Sequence, residues 1–163
     1  MDVLWAPWRM AYVTATAPPS GCIFCVGEGG DRERLVLGTT AASIVMLNRY
    51  PYASGHLMVA PRRHTASLPD LPADEHAELA DTLRRSLATL CEVLAPHGVN
   101  LGMNLGTCAG AGIADHLHWH IVPRWTGDTN FMTSVAEARV MPQHLLETYD
   151  RLRPPFAWLD RAG

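Results

Sequence analysis

This chain predicts an α+β fold: a mainly antiparallel sheet of about five strands, with one long and one shorter helix. Three observations lead there. Short apolar runs are separated by turn-forming residues in the pattern of sequential strands. One long stretch repeats leucine at three- and four-residue intervals, and a shorter one near the C-terminus spaces Leu145, Tyr149 and Leu152 in the same way. Finally, 163 residues at 48% hydrophobic content suffice for one compact body with its own core.

The elements follow in order. Strand-like runs occupy residues 35–37, 43–47 and 56–60. The last two flank residues 48–55, Asn-Arg-Tyr-Pro-Tyr-Ala-Ser-Gly, which read as a loop between antiparallel neighbours. Residues 72–95 form the clearest helix, because Leu79, Leu83, Leu87, Leu90 and Leu94 make one apolar stripe. Pro72 suits a first helical turn, and Pro96-His97-Gly98 stops it. A strand at 99–105 leads to a loop at 106–112 containing three glycines, and another strand spans about 116–123. A second helix is expected at 142–152 with Leu145, Leu146, Tyr149 and Leu152 inward. Residues 14–21 read as a linker, dividing the chain into an arm (1–21, with Trp5 and Trp8), a body (22–125) and an extension (126–163).

Composition narrows the function. A net charge of −3 argues against bulk nucleic-acid binding, while leaving room for a phosphorylated small molecule held by a few local donors. No apolar stretch approaches the ~20 residues that cross a bilayer. The N-terminal residues lack a basic segment followed by a long apolar run, so a secretory leader is not expected and the cytoplasm is the expected location.

Three of the eight histidines fall in five residues, at His116, His118 and His120. In a strand, alternation places all three on one face, with Leu117, Trp119 and Ile121 on the other. Ordinary packing has little use for clustered imidazoles, whose desolvation is costly. Two chemistries do use them. His-x-His on a strand is a legitimate spacing for zinc ligands. Neutral imidazole is also a nucleophile toward phosphorus, and a phosphoramidate intermediate splits one hard displacement into two easier ones. The second route needs the middle ring to present a lone pair while its other nitrogen donates to a carbonyl. The glycines at 106, 110 and 112 would let backbone N–H groups approach a phosphate.

Cys22-Ile23-Phe24-Cys25 has the gap that lets two thiolates bind one tetrahedral ion. A redox pair is the rival, but no strand-to-helix context for it is present. Cys91 reads as a small buried residue in a helix, and Cys108 has no assigned role. His76, His97 and His144 suit solvated helix surfaces or ends, and His56 suits packing or support of the site. Arg9, Arg62, Arg63 and Arg124 are candidate phosphate donors whose simpler role is surface salt bridging.

The run His116-Leu117-His118-Trp119-His120-Ile121-Val122, with Asn104-x-Gly106 before it, Pro123-Arg124 after it and Leu47-Asn48-Arg49-Tyr50-Pro51…Gly55-His56 upstream, resembles the histidine triad family over roughly residues 22–125. The flanking Trp5-Ala6-Pro7-Trp8-Arg9 and Arg124–Phe131 segments resemble the bacterial diadenosine tetraphosphate phosphorylase-like branch. That resemblance implies that His118 attacks the α-phosphorus and that His120 hydrogen-bonds the phosphate. It implies that Asn48 accepts ribose hydroxyls, and that Asn104 and the Gly112 backbone serve the phosphate side. It further implies a structural zinc held by Cys22, Cys25, His64 and His116, and a homodimer to which Trp5 and Trp8 contribute.

The activity it implies is ping-pong phosphorolysis of a dinucleoside polyphosphate, with inorganic phosphate as second substrate. Hydrolysis of such nucleotides or of nucleoside phosphoramidates is the alternative, and a non-catalytic nucleotide-binding regulator is the reading of another class. One departure stands out. Family hydrolases carry Gln and Ser or Thr just before the first histidine, where this chain has Gly112-Ile113-Ala114-Asp115.

Overall fold

The computed structural model describes residues 21–27, 29–128 and 144–161. Five strands form one antiparallel sheet: β1 (Val36–Thr39), β2 (Ser43–Leu47), β3 (Leu57–Pro61), β4 (Gly98–Met103) and β5 (Trp119–Arg124). Their spatial order is β1-β2-β3-β5-β4, so the strand carrying the last histidine of the triad lies inside the sheet and β4 forms an edge. Two helices accompany it, α1 (Ala73–Leu94) and α2 (Leu145–Leu152). Short 3-10 turns occur at Thr107–Ala109 and Ala157–Arg161. This is the α+β arrangement that the sequence predicts.

Strands β1, β2 and β3 are buried along their whole length, because both faces of the sheet are covered. One face presents Leu37, Val45, Leu47, Leu57, Val59 and Ile121 to the main core. Leu79 and Leu90 of α1 pack there, together with Tyr149, Leu152, Phe156 and Leu159 from the C-terminal segment. The opposite face carries Val36, Ile44, Met46, Met58 and Ala60 under the ring of Phe24. Alternation within the strands thus sends neighbouring residues into two separate cores.

The α1 stripe differs from expectation in detail. Leu79 and Leu90 are buried, Leu83, Leu87 and Leu94 are half-buried, and Thr82 and Ser86 are also buried. Cys91, expected inside, is exposed, because it lies one residue past Leu90 and the helical turn carries it away from the sheet. The C-cap Ala95 sits in the left-handed region at φ 46° and ψ 53°, where its N–H closes on the Cys91 carbonyl. In α2 the expected inward residues Tyr149 and Leu152 are buried, and the Tyr149 hydroxyl donates to the Val36 carbonyl at 2.9 Å. His144 caps that helix by accepting the Leu146 N–H. The aromatic arm with Trp5 and Trp8 lies outside the described residues.

Strand β5 begins at Trp119 rather than at His116. The first two histidines therefore lie on the extended approach to the strand. There the Leu117 N–H donates to the Thr65 carbonyl at 2.7 Å, away from the ladder. The alternation survives: Leu117 and Ile121 enter the main core with Trp119 packed beside them, and the imidazoles take the other face.

Candidate functional site

Each of the three triad histidines has a different hydrogen-bonding fate, and those fates define the site. The buried His116 donates Nε2–H to the Pro61 carbonyl at 2.8 Å. A carbonyl only accepts, so the proton is fixed on Nε2 and the Nδ1 lone pair faces the other way. It faces Cys22 Sγ at 3.2 Å, Cys25 Sγ at 3.9 Å and His64 Nδ1 at 3.2 Å. Cys25 Sγ lies 3.5 Å from His64 Nδ1, and all four ligand atoms fall within 4.8 Å of one another.

These separations bear on metal binding. Zinc–nitrogen and zinc–sulfur bonds of about 2.05 and 2.3 Å at tetrahedral angles separate ligand atoms by about 3.4–3.8 Å. The observed spread brackets that range. His116 Nδ1 carries no proton, so its lone pair can accept a thiol or imidazole hydrogen or ligate a metal ion held by the same four atoms. Burial pulls the His116 imidazole below its ordinary range, holding it in the neutral form that ligates. Partial burial and the adjacent Cys22 push the Cys25 thiol up, an effect that a dication reverses by binding thiolate. The residues present fit a closed structural Cys2His2 zinc site, with the Pro61 carbonyl as the outer partner that orients His116.

His118 is 4% exposed and donates Nδ1–H to the His116 carbonyl at 2.9 Å. Its Nε2 therefore carries the lone pair. Burial lowers its pKa, partly opposed by the backbone hydrogen bond, so the ring stays neutral and nucleophilic near pH 7. Phe24, 1% exposed, lies 4.9 Å from the His118 ring and 5.0 Å from His116. The Cys-x-x-Cys turn thus lays an aromatic ring on the candidate nucleophile.

His120 is half-exposed, 4.8 Å from His118 in an edge-on arrangement. Its Nδ1 lies 2.9 Å from Nε2 of His56, whose own Nδ1 accepts the Tyr52 N–H at 3.1 Å. His56 is fully buried, stacked on Tyr52 at 4.9 Å. Gly55 before it has φ 82°, a left-handed backbone that glycine adopts without the strain a side chain would bring. Sequence reasoning left His56 as a packing or supporting residue and gave Phe24 no role. The available signal was parity: His56 shares its strand face with Met58, which pairs with His120.

The remaining candidates are placed as follows. Asn48 follows β2, and its Oδ1 accepts the Tyr50 N–H at 2.9 Å. Asn104 Nδ2 approaches the Gly110 carbonyl at 3.5 Å, which ties the ends of the glycine loop together. Gly112 is exposed in the turn leading to His116. Of the arginines, Arg63 pairs with Glu75 and Arg124 with Asp128.

A buried neutral imidazole, a second imidazole beside it and a Cys/His cluster that could hold a metal thus lie together on an antiparallel sheet. Residues 30–127 match the HIT domain, and the chain belongs to that family. It is 40% identical to an AP-4-A phosphorylase of Mycobacterium tuberculosis over 154 residues, covering 89% of this chain and 79% of that protein. An adenosine 5'-monophosphoramidase of Schizosaccharomyces pombe is 30% identical over 103 residues, covering 63% of this chain and 74% of that protein. Among solved structures, a zinc-bound histidine triad family protein from Mycobacterium smegmatis superposes with a TM-score of 0.61 at 26% identity, covering 94% of each chain. Among the described residues, no helix is long and apolar enough to cross a membrane.

Proposed function

We propose that this chain is a nucleotidyl-transfer enzyme that phosphorolyses dinucleoside polyphosphates, turning diadenosine tetraphosphate and phosphate into ATP and ADP. The observation that carries the reading is the tautomer of His118: its proton is pinned to the His116 carbonyl and its free lone pair sits beside His120. In the first step that lone pair forms an N–P bond to the α-phosphorus as the P–O bond to the leaving group breaks. The bonding electrons depart on ATP. In the second step a phosphate oxygen attacks the same phosphorus, the N–P bond breaks, and ADP leaves with His118 restored.

The 40% identity to an AP-4-A phosphorylase supports the choice of phosphate as acceptor. The residue set at 112–115, which offers no Gln, Ser or Thr to protonate a leaving group, favours a polyphosphate leaving group over an amine. The identity to a monophosphoramidase supports the alternative in which water completes the second step.

In this reading His120 binds the non-bridging phosphate oxygens where charge grows. The second lone pair of Asn48 Oδ1 takes a ribose hydroxyl, while Asn104 and the Gly112 backbone hold the phosphate side. Cys22, Cys25, His64 and His116 would hold a zinc ion as a structural staple, which would fix the turn that carries Phe24. We also place the protein in the cytoplasm, where its free cysteines stay reduced. A homodimer is proposed through edge strand β4, which exposes Leu101 at 47%, with Leu105 just beyond it at 45%.

Mass detection of adenylyl-His118 after substrate addition, lost in His118→Ala while nucleotide binding persists, tests the enzyme against a mere binder. Product analysis with and without phosphate tests the acceptor: ADP output that ignores added phosphate overturns phosphorolysis. Elemental analysis finding well under one zinc per chain overturns the metal assignment.

A further inference from the structure

His56 is a fully buried polar side chain that the proposed mechanism does not use. Its partners force its protonation. The Tyr52 backbone N–H is a donor only, so the His56 Nδ1 that receives it at 3.1 Å must present a lone pair. A neutral imidazole has one ring proton, which then lies on Nε2. That nitrogen faces His120 Nδ1 at 2.9 Å, so His120 Nδ1 must accept. By elimination the His120 proton resides on Nε2, the nitrogen not engaged by His56.

Doubly protonating His120 would require its Nδ1 to donate to His56 Nε2. With His56 Nδ1 already accepting from Tyr52, that would strip His56 of both ring protons, which neutral water does not permit. The chain Tyr52 N–H to His56 to His120 therefore runs in one direction and keeps both rings neutral.

We propose that His56 is a positioning residue that locks His120 as a neutral Nε2–H hydrogen-bond donor. The consequence is two imidazoles in opposite tautomers, His118 on the approach to β5 and His120 within it. His118 turns a lone pair outward, because its Nδ1–H is held by a backbone carbonyl. His120 turns a proton outward, because its Nδ1 is held by a buried imidazole. One is set to attack phosphorus and the other to bind the oxygens on it. Without His56, His120 is free to place its proton on Nδ1 and turn a lone pair toward an anion. The proposal rests on the reading of His118 as the nucleophile.

The test has two parts, both on the full-length, zinc-loaded protein. Nitrogen-15 NMR of the histidine rings, without substrate at neutral pH, should show His120 with its proton on Nε2 and His118 with its proton on Nδ1. Finding His120 doubly protonated, or protonated on Nδ1, overturns the lock. Steady-state kinetics of His56→Leu should then show kcat reduced on the order of tenfold to a hundredfold, the scale of losing an outer-shell partner. KM should change little. His56→Gln sets an amide N–H where Nε2 lies and should recover most of kcat together with the wild-type His120 signature. Equal kcat in both variants, or a Gln variant that recovers stability but neither kcat nor the tautomer, rejects the positioning role. If His56→Leu does not fold, the wild-type spectrum and the Gln variant still decide. Failure of phosphate dependence in the wild-type enzyme would instead sink phosphorolysis, and it leaves the ring protons of His120 untouched.

Discussion

Replacing Phe24 by alanine probes how the Cys-x-x-Cys turn is joined to the sheet. Phe24 is 1% exposed and forms the lid of the smaller core, over Val36, Ile44, Met46, Met58 and Ala60. A phenylalanine buries ~150–200 Å². At ~25 cal/mol per Å² its burial stabilises the fold by about 4–5 kcal/mol, in line with the ~3–5 kcal/mol typical of Phe→Ala in cores. For a chain of this size, ~4 kcal/mol lowers Tm by roughly 8–16 °C.

The metal reading adds a condition. If Cys22 and Cys25 hold the turn through zinc, Phe24 is seated only while the metal is present. The Phe24→Ala loss should then be large in zinc-loaded protein and should shrink to ~1–2 kcal/mol after chelation, as expected of coupled sites. Urea denaturation of wild type and variant, each with and without a chelator, measures this coupling. Equal losses in both conditions would refute the idea that the metal seats the ring.

Other expectations can be checked separately. Burial pulls His118 below its ordinary value of 6.5. Above pH 6.5 folded and unfolded chains both carry a neutral ring, so this group contributes no pH dependence there. Below 6.5 the unfolded chain takes up a proton that the folded one resists, and stability falls as pH drops toward the folded value. The acid limb of kcat/KM should accordingly have its midpoint below 6.5; a midpoint at or above it contradicts the buried neutral nucleophile. Leu101→Glu puts charge on the exposed edge strand and should shift the protein toward monomer in sedimentation velocity, without loss of the zinc. An unchanged sedimentation profile removes β4 as the interface. Ala95→Gly relieves a left-handed non-glycine cap worth ~1–2 kcal/mol, less the entropy of glycine in the unfolded chain, for a net gain of about 0.5–1 kcal/mol by thermal melts.

Much of this architecture could be read from the residues because its determinants are local. The leucine spacing of α1 and its stop at Pro96-His97-Gly98 sit within a few turns of one another, and the observed helix ends at Leu94. Alternation through Leu117, Trp119 and Ile121 gave the faces of the triad strand correctly, although the ladder itself starts later. What alternation could not give was the partner of each imidazole. The carbonyl that fixes His116 comes from Pro61, and the ring that fixes His120 comes from His56, both set by the register between β3 and β5. Cys91 was misplaced for a related reason: apolar neighbours in sequence do not say which side of the helix meets the sheet.

His118 is oriented by the main chain of residue 116, and a carbonyl survives any change of the side chain attached to it. The ring of residue 116 and its backbone therefore answer to different pressures. A descendant of this scaffold that exchanged Cys22 and Cys25 would lose the cluster that can hold a metal, yet the ring at 118 would still find the same carbonyl. Any ion at that cluster is in that sense an addition to the scaffold, separable from the setting of the His118 ring across evolutionary time.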